Sequence, residues 1–272
     1  MSDRVSVTMD GGVADVRLTR ADKMNALDGA MFDALIAAGE ELKTRKGLRA
    51  VVLSGEGRAF CAGLDMGSFA QMAGNDHKSV NGGGVSGLGA RDYGIANKAQ
   101  QVCFVWRQIP VPVIAAVHGV AYGGGFQLTL GADMRYVAPD TKMSIMEIKW
   151  GLVPDMAGLL LMPGMARTDV MRELTFTGKV FTGAEAQGYG FATRVCDDPR
   201  AEALAAAREI ASKSPHAIRA AKRLLNLSLE ADAATVLIEE TKEQVALIAS
   251  PNQIEAVMSN MQKRSANFAD VA

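Results

Sequence analysis

Along this chain the apolar positions change period several times, and each change marks an element. Val5 to Met9 alternates apolar and polar, Asp10-Gly11-Gly12 interrupts, and Val13 to Leu18 resumes the alternation. Two half-buried strands around a glycine turn predict a β-hairpin. Asp28 is suited to cap a helix, and behind it Met31, Leu35, Ala38 and Leu42 recur at steps of four and three. Ala50-Val51-Val52-Leu53 and Val113 to Val117 are short continuous apolar runs, the pattern of buried strands. Between them a helix is expected from about Ile95 to Gln108, with Ile95, Val102 and Trp106 on one buried face. Ile109-Pro110-Val111-Pro112 ends it.

Met134 to Ala138 reads as a further strand and Phe191 to Val195 as the last. Thr182-Gly183-Ala184-Glu185 is a capping box that opens a short helix. Beyond Pro199 the chain is alanine-rich and helical, over roughly 200–213, 216–228, 231–248 and 252–263. Strands alternating with helices predict the α/β class, with functional loops gathered at one edge of a sheet.

Composition narrows the function classes. With 272 residues the chain is long enough for one large core and an appended element. A net charge of −1 and no interleaved basic and aromatic patch argue against nucleic acid or a membrane surface as partner. The three cysteines, Cys61, Cys103 and Cys196, are far apart, which disfavours a zinc site and a disulfide framework. No metal is expected. The opening MSDRVSVTMDGG has no basic-then-apolar layout, and no apolar run approaches the ~20 residues that span a bilayer. A soluble, cytoplasmic protein is the expectation.

The chemistry concentrates in Val113 to Asp133, VIAAVHGVAYGGGFQLTLGAD. A buried strand leads through Gly123-Gly124-Gly125 into a short helix closed by Gly131, which exposes backbone N–H groups that a ligand can approach closely. A second strand, 50–53, runs through Ser54-Gly55-Glu56-Gly57 into AFCAGLD, another glycine bend. Two such bends can aim two N–H donors at one oxygen, as an oxyanion hole requires. Residues 67–94 are irregular and glycine-rich, and read as a surface loop in the position of a lid. Gly82-x-Gly84-x-x-Gly87 matches the dinucleotide fingerprint only formally, since no strand leads into it. Glu147 and Asp155 are carboxylates in an apolar stretch, separated by Gly151 and Pro154, and can converge across a loop or face solvent separately.

Together, LTRADKMNAL, AFCAGLD and HGVAYGGGFQLTLGAD, in that order and spacing, resemble the crotonase superfamily, the enoyl-CoA hydratase/isomerase family. The resemblance covers essentially the whole chain. It implies a spiral of ββα units over 1–196 that carries an acyl-CoA site. It also implies a C-terminal helical region, 197–272, for oligomerisation and site closure, in a homotrimer or hexamer. Coenzyme A is then part of the substrate and no separate cofactor is needed. Carried over residue by residue, the N–H groups of Leu64 and Gly124 form the oxyanion hole, and Lys23, Ala62, Asp65, Met66 and Gly67 contact substrate. Glu147 matches the family's active-site glutamate, and Asp155 matches an aspartate found in some isomerases.

Gln127 departs from the pattern. Hydratases of the family carry a glutamate there, and dienoyl-CoA isomerases an aspartate. An amide cannot exchange a proton at neutral pH. Glu147, Asp155 and Gln127 are therefore expected to favour double-bond isomerisation over hydration. Hydration by Glu147 alone, another crotonase reaction (hydrolysis, dehalogenation, C–C cleavage) and a non-catalytic acyl-CoA- or RNA-binding role are the alternatives. His118 is read as a structural hydrogen-bonding residue and Cys61 as packing at the bend.

Overall fold

The computed structural model describes residues 3–67 and 88–271. Most of the expected glycine-rich loop, including Gly82, Gly84 and Gly87, lies outside the described residues.

The chain opens as the expected hairpin. β1 (Val5–Asp10) and β2 (Val13–Leu18) are antiparallel, and Asp10 pairs with Val13 across Gly11 and Gly12, whose φ angles are 55° and 82°. Positive φ at both turn residues matches the twist of the strands they join. α1 (Gly29–Thr44) is capped by Asp28, which accepts a 2.8 Å bond from the Met31 N–H. β3 (Ala50–Gly55) follows, then α2 (Lys98–Gln108).

α2 corrects the expected helix start. The helix is capped by Asn97, which exchanges hydrogen bonds with Gln100 in a capping box. Ile95 therefore precedes the helix and is 75% exposed, while Val102 and Trp106 are fully buried as expected.

β4 (Val113–Val117) is followed after only two residues by β5 (Val120–Tyr122), then α3 (Gly124–Leu130). β6 (Met134–Val137), β7 (Lys142–Ser144), a 3-10 turn at Glu147–Trp150 and α4 (Gly158–Leu161) repeat that strand–strand–helix sequence. Next come α5 (Thr168–Thr177), β8 (Phe181–Thr182) and α6 (Gly183–Tyr189), which carries the expected Thr182–Glu185 capping box. The last strand, β9, is confined to Arg194–Val195. Phe191 belongs instead to an aromatic cluster in the core. The C-terminal helices are α7 (Pro199–Ala211), α8 (Pro215–Leu227), α9 (Ala233–Leu247) and α10 (Pro251–Met261).

Two sheets result among the described residues. The larger runs β1-β2-β3-β4-β6-β9 and is parallel after the hairpin; the smaller runs β5-β7-β8. Each turn of chain contributes a long strand to the first sheet, steps sideways into the second, and returns through helix. Isolated parallel bridges, Leu27 to Leu64 and Cys61 to Ala121, carry the second layer of rungs into the earlier turns. This is the spiral of ββα units that the resemblance implied.

The central strands are apolar throughout because both faces are covered. Val51, Leu53, Val113, Ala115 and Val117 face the main core with Met31, Leu35, Val102 and Trp106. Their alternates Ala50, Val52, Ile114 and Ala116 face α7, which meets them with Ala203, Ala207 and Ala211. Alanines at steps of four form a smooth stripe that lets a helix lie close on a sheet.

Candidate active site

The site is built where two turns of the spiral meet. The 56–65 bend is held in place chiefly by backbone and by side chains of the segment before α1. Asn25, fully buried, donates to the carbonyls of Glu56 (3.0 Å) and Ala59 (2.8 Å). The Ala62 N–H donates to Met24 O, the Leu27 N–H to Gly63 O and the Asp65 N–H to Leu27 O. Arg20 completes the clamp, donating to Asp65 Oδ2 at 2.7 Å and to Ala26 O at 3.0 Å. Arg20 also lies 3.5 Å from Asp28, which Arg4 contacts at 3.0 Å.

The second bend sits against the first. The Cys61 N–H donates to Val120 O and the Tyr122 N–H to Cys61 O, so β5 and the AFCAGLD segment run side by side. The contact is too close for side chains at two glycines. A Cβ on Gly125 would stand 2.2 Å from the Cys61 carbonyl oxygen, and one on Gly63 would stand 2.5 Å from the Tyr122 oxygen. The Gly63 Cβ position is also 3.7 Å from the Gly124 nitrogen, which puts the Leu64 and Gly124 bends next to one another. Gly124 is the first residue of α3, so its N–H has no acceptor within the helix. The Leu64 N–H has no backbone acceptor among the described residues.

A third group closes in from β7. Glu147 opens the 3-10 turn, is 9% exposed, and its Oε1 lies 3.4 Å from where a Cβ on Gly123 would be. The Gln127 Nε2 donates to that same Oε1 at 2.6 Å, while Oε2 is buried with no partner among the described residues. Gln127 stands on α3, which Phe126 anchors edge-on against Phe181 (5.8 Å) and Phe191 (5.2 Å). Burial raises the Glu147 carboxyl above the ordinary carboxylate range, and hydrogen bonds from its own backbone N–H and from Gln127 pull it partly back. Asp155 is exposed as a residue. Partial burial of the carboxyl raises its pKa too. The two carboxylates feel one another, for the charge of Asp155 also raises Glu147.

The structure thus brings together Glu147, Gln127, Gly124 and Leu64, with Asp155 in electrostatic reach. The other expected contacts divide. The Asp65 carboxylate is engaged by Arg20 and by the Gly67 N–H (2.8 Å), and Arg20 holds it below the usual carboxylate range. Ala62 is partly buried, Met66 and Gly67 are exposed, and Lys23 is an exposed residue ending a 3-10 turn. His118 Nε2 lies 2.9 Å from Gly57 O. Cys61 is fully buried with its thiol pushed up to about 12 by burial. Arg20 and Asn25 escaped the sequence reading; both lie inside LTRADKMNAL, which was the signal available.

Among the described residues no group of three or more His, Cys, Asp or Glu side chains gathers as a metal ion would need. None of their helices is long and apolar enough to cross a membrane. A polar cavity of about 450 Å³ beside α1 and α2, lined by Glu40, Lys43 and Gln101 among others, includes none of the site residues.

Known proteins share this fold and sequence pattern. The family model described as enoyl-CoA hydratase/isomerase matches residues 8–271. Mitochondrial methylglutaconyl-CoA hydratase of Mus musculus is 30% identical over 264 residues, covering 94% of this chain and 79% of that protein. Human mitochondrial Delta(3,5)-Delta(2,4)-dienoyl-CoA isomerase is 30% identical over 256 residues, covering 93% and 77%. The crystal structure of an enoyl-CoA hydratase from Bacillus anthracis superposes with a TM-score of 0.86 at 26% identity, covering 97% of this chain and 98% of that one. With its spiral fold, paired glycine bends and buried glutamate, this chain belongs to the enoyl-CoA hydratase/isomerase family of enzymes.

Proposed function

We propose that the enzyme shifts a double bond along an enoyl- or dienoyl-CoA thioester. The observation that carries this reading is the trio at the site: two carboxyls of raised pKa, Glu147 and Asp155, with a neutral amide at position 127. In the reading, the Leu64 and Gly124 N–H groups hold the thioester oxygen. That oxygen gains negative charge as the α-carbon loses its proton, and donors fixed in advance stabilise the enolate more than the ground state. One carboxylate takes the α-proton, the electrons move along the conjugated chain, and the other carboxyl protonates a more distant carbon. Proton exchange with solvent then resets the pair. A raised pKa suits each role, because it favours the protonated form of an acid and strengthens a base. The likeness to dienoyl-CoA isomerase supports the reading.

Hydration with Glu147 acting alone is the second reading, supported by the likeness to methylglutaconyl-CoA hydratase. Incubation with a panel of enoyl- and dienoyl-CoA thioesters, followed by the conjugated absorbance, separates the two. Isomerisation should outpace hydration, and wild-type hydration of crotonyl-CoA at ~10 per second or faster overturns the preference. Glu147→Gln should lower kcat at least ~100-fold, the usual share of a general base. Asp155→Asn should harm isomerisation more than any hydration. Full activity of both variants would remove the mechanism.

The homotrimer or hexamer that the resemblance implies is part of the same proposal. Leu237, Ile238, Val245 and Ile248 on and just after α9, and Ile254 and Met261 on α10, are each more than half exposed, an apolar surface suited to a second copy. Sedimentation of the full chain at micromolar concentration should show no monomer; a monomer throughout refutes the assembly.

A further inference from the structure

We infer that Gln127 is a positioning residue: its amide pins Glu147 and the loop carrying Asp155 in one register, leaving Glu147 Oε2 as the oxygen that exchanges protons. This rests on the role of Glu147 proposed above and goes beyond it.

The geometry is a closed circuit. Gln127 is 1% exposed, and its Oε1 accepts from the backbone N–H of Met156 and of Gly158, each at 2.9 Å. Those two donors fix which end of the amide is oxygen, since a backbone N–H cannot donate to the NH₂ end. The NH₂ end must then face Glu147, where it donates to Oε1 at 2.6 Å. With Oε1 engaged, the proton-exchanging oxygen is the other one. Met156 directly follows Asp155, so one side chain ties down both carboxylate-bearing segments. Between its two donors lies Ala157, held in the left-handed region at φ 66°. That conformation costs free energy for a residue with a Cβ, and the paired bonds to Gln127 offset it.

Only an amide does this without charge. A glutamate in its place would still accept from Met156 and Gly158, but its second oxygen would face Glu147 Oε1 as a like charge. A methionine would fill the volume and make none of the three bonds. The groups that face Glu147 are few: Gln127 from α3, Asp155 across the loop and the buried Cys103 thiol from α2, whose pKa is raised in part by both carboxylates. Of these side chains Gln127 is the hydrogen-bond donor to it, beside the backbone N–H groups of Glu147 and Met146, which also favour its ionised form.

Three variants test the pin through the pH profile of kcat/KM and the plateau kcat. Gln127→Met should lower the plateau ~10- to 100-fold, as a small misplacement of a reacting group does. Its acidic limb should move to higher pH, because one of the donors that favour ionised Glu147 is gone. Gln127→Glu should move that limb further and split it into two ionisations, those of a coupled carboxyl pair. Gly158→Ala leaves both side chains intact, but its Cβ would stand 2.6 Å from Gln127 Oε1 and displace the amide from behind. It should shift the limb in the same direction as Gln127→Met. A residue that merely supports the fold would lower yield or kcat without moving the limb. An unmoved limb in Gln127→Glu, which keeps the buried volume, and in Gly158→Ala overturns the inference even if Gln127→Met fails to fold. Glu147→Gln judges the underlying reading separately: if it is inactive while these limbs stay fixed, the base stands and the pin falls.

Discussion

The two walls of this site are made of different material. One is backbone: the Leu64 and Gly124 N–H groups, set by a parallel bridge and by glycines too close to a neighbouring carbonyl to carry a Cβ. The other is side chain: Glu147, Gln127 and Asp155, each identity carrying a distinct proton or hydrogen bond. The first wall depends on the backbone path and on Gly63 and Gly125, with no polar side chain among its donors. The second changes its chemistry with a single atom. Under the proposed roles, what the site grips is separable from what it does to the gripped molecule.

The sharpest break is Gly124→Pro. Proline suits the first residue of a helix and there removes only the N–H, with Met156 and Leu27 side chains moving aside. Turnover should fall at least ~100-fold, the cost of one oxyanion donor, and acyl-CoA binding should weaken. Leu64→Met, which keeps its N–H, should stay near wild type. A folded Gly124→Pro enzyme with wild-type kcat would sink the backbone wall.

A smaller effect is expected at the strut behind that wall. Arg20→Met removes the 2.7 Å bond to Asp65 and should cost ~10-fold in kcat by loosening the Leu64 bend. It should also change the acid response of stability. Asp65 has a lowered pKa in the folded protein, first through Arg20, so it stabilises the fold above its unfolded pKa and loses that contribution as pH falls through the lowered value. The stability gap between wild type and variant should be full at neutral pH and close on acidification. The exposure of the pair keeps it modest. Equal denaturation midpoints at neutral pH and unaltered kcat would show the strut to be idle.

Much of this was legible in the sequence because local rules applied. The Gly11-Gly12 hairpin, the Asp28 cap, the Thr182 capping box and the doubly covered strands follow from turn chemistry, capping and period. Misreadings fell where a pattern was too short or the cause was distant. β5, β7 and β8 have three, three and two residues, too few to show a period. Ile95 fitted a helical step, yet the Asn97–Gln100 capping box starts the helix after it. Gln127 was visible as a departure, but its two N–H donors lie 29 and 31 residues further along, and its orientation is decided there. Arg20 was hidden likewise, since Asp65 is 45 residues away.

The bridge between Cys61 and Ala121 has a consequence for descent. Neighbouring strands keep a spacing of about 4.8 Å whatever residues they carry. Under the proposed roles, the distance between the two donors is thus inherited with the fold and is protected from most point mutations. Positions 127, 147 and 155 enjoy no such protection, and each can be rewritten by a single codon change. Under the same roles, a lineage built on this plan can drift from one thioester reaction to another while keeping its hold on the thioester, and position 127 is where such a change would be written.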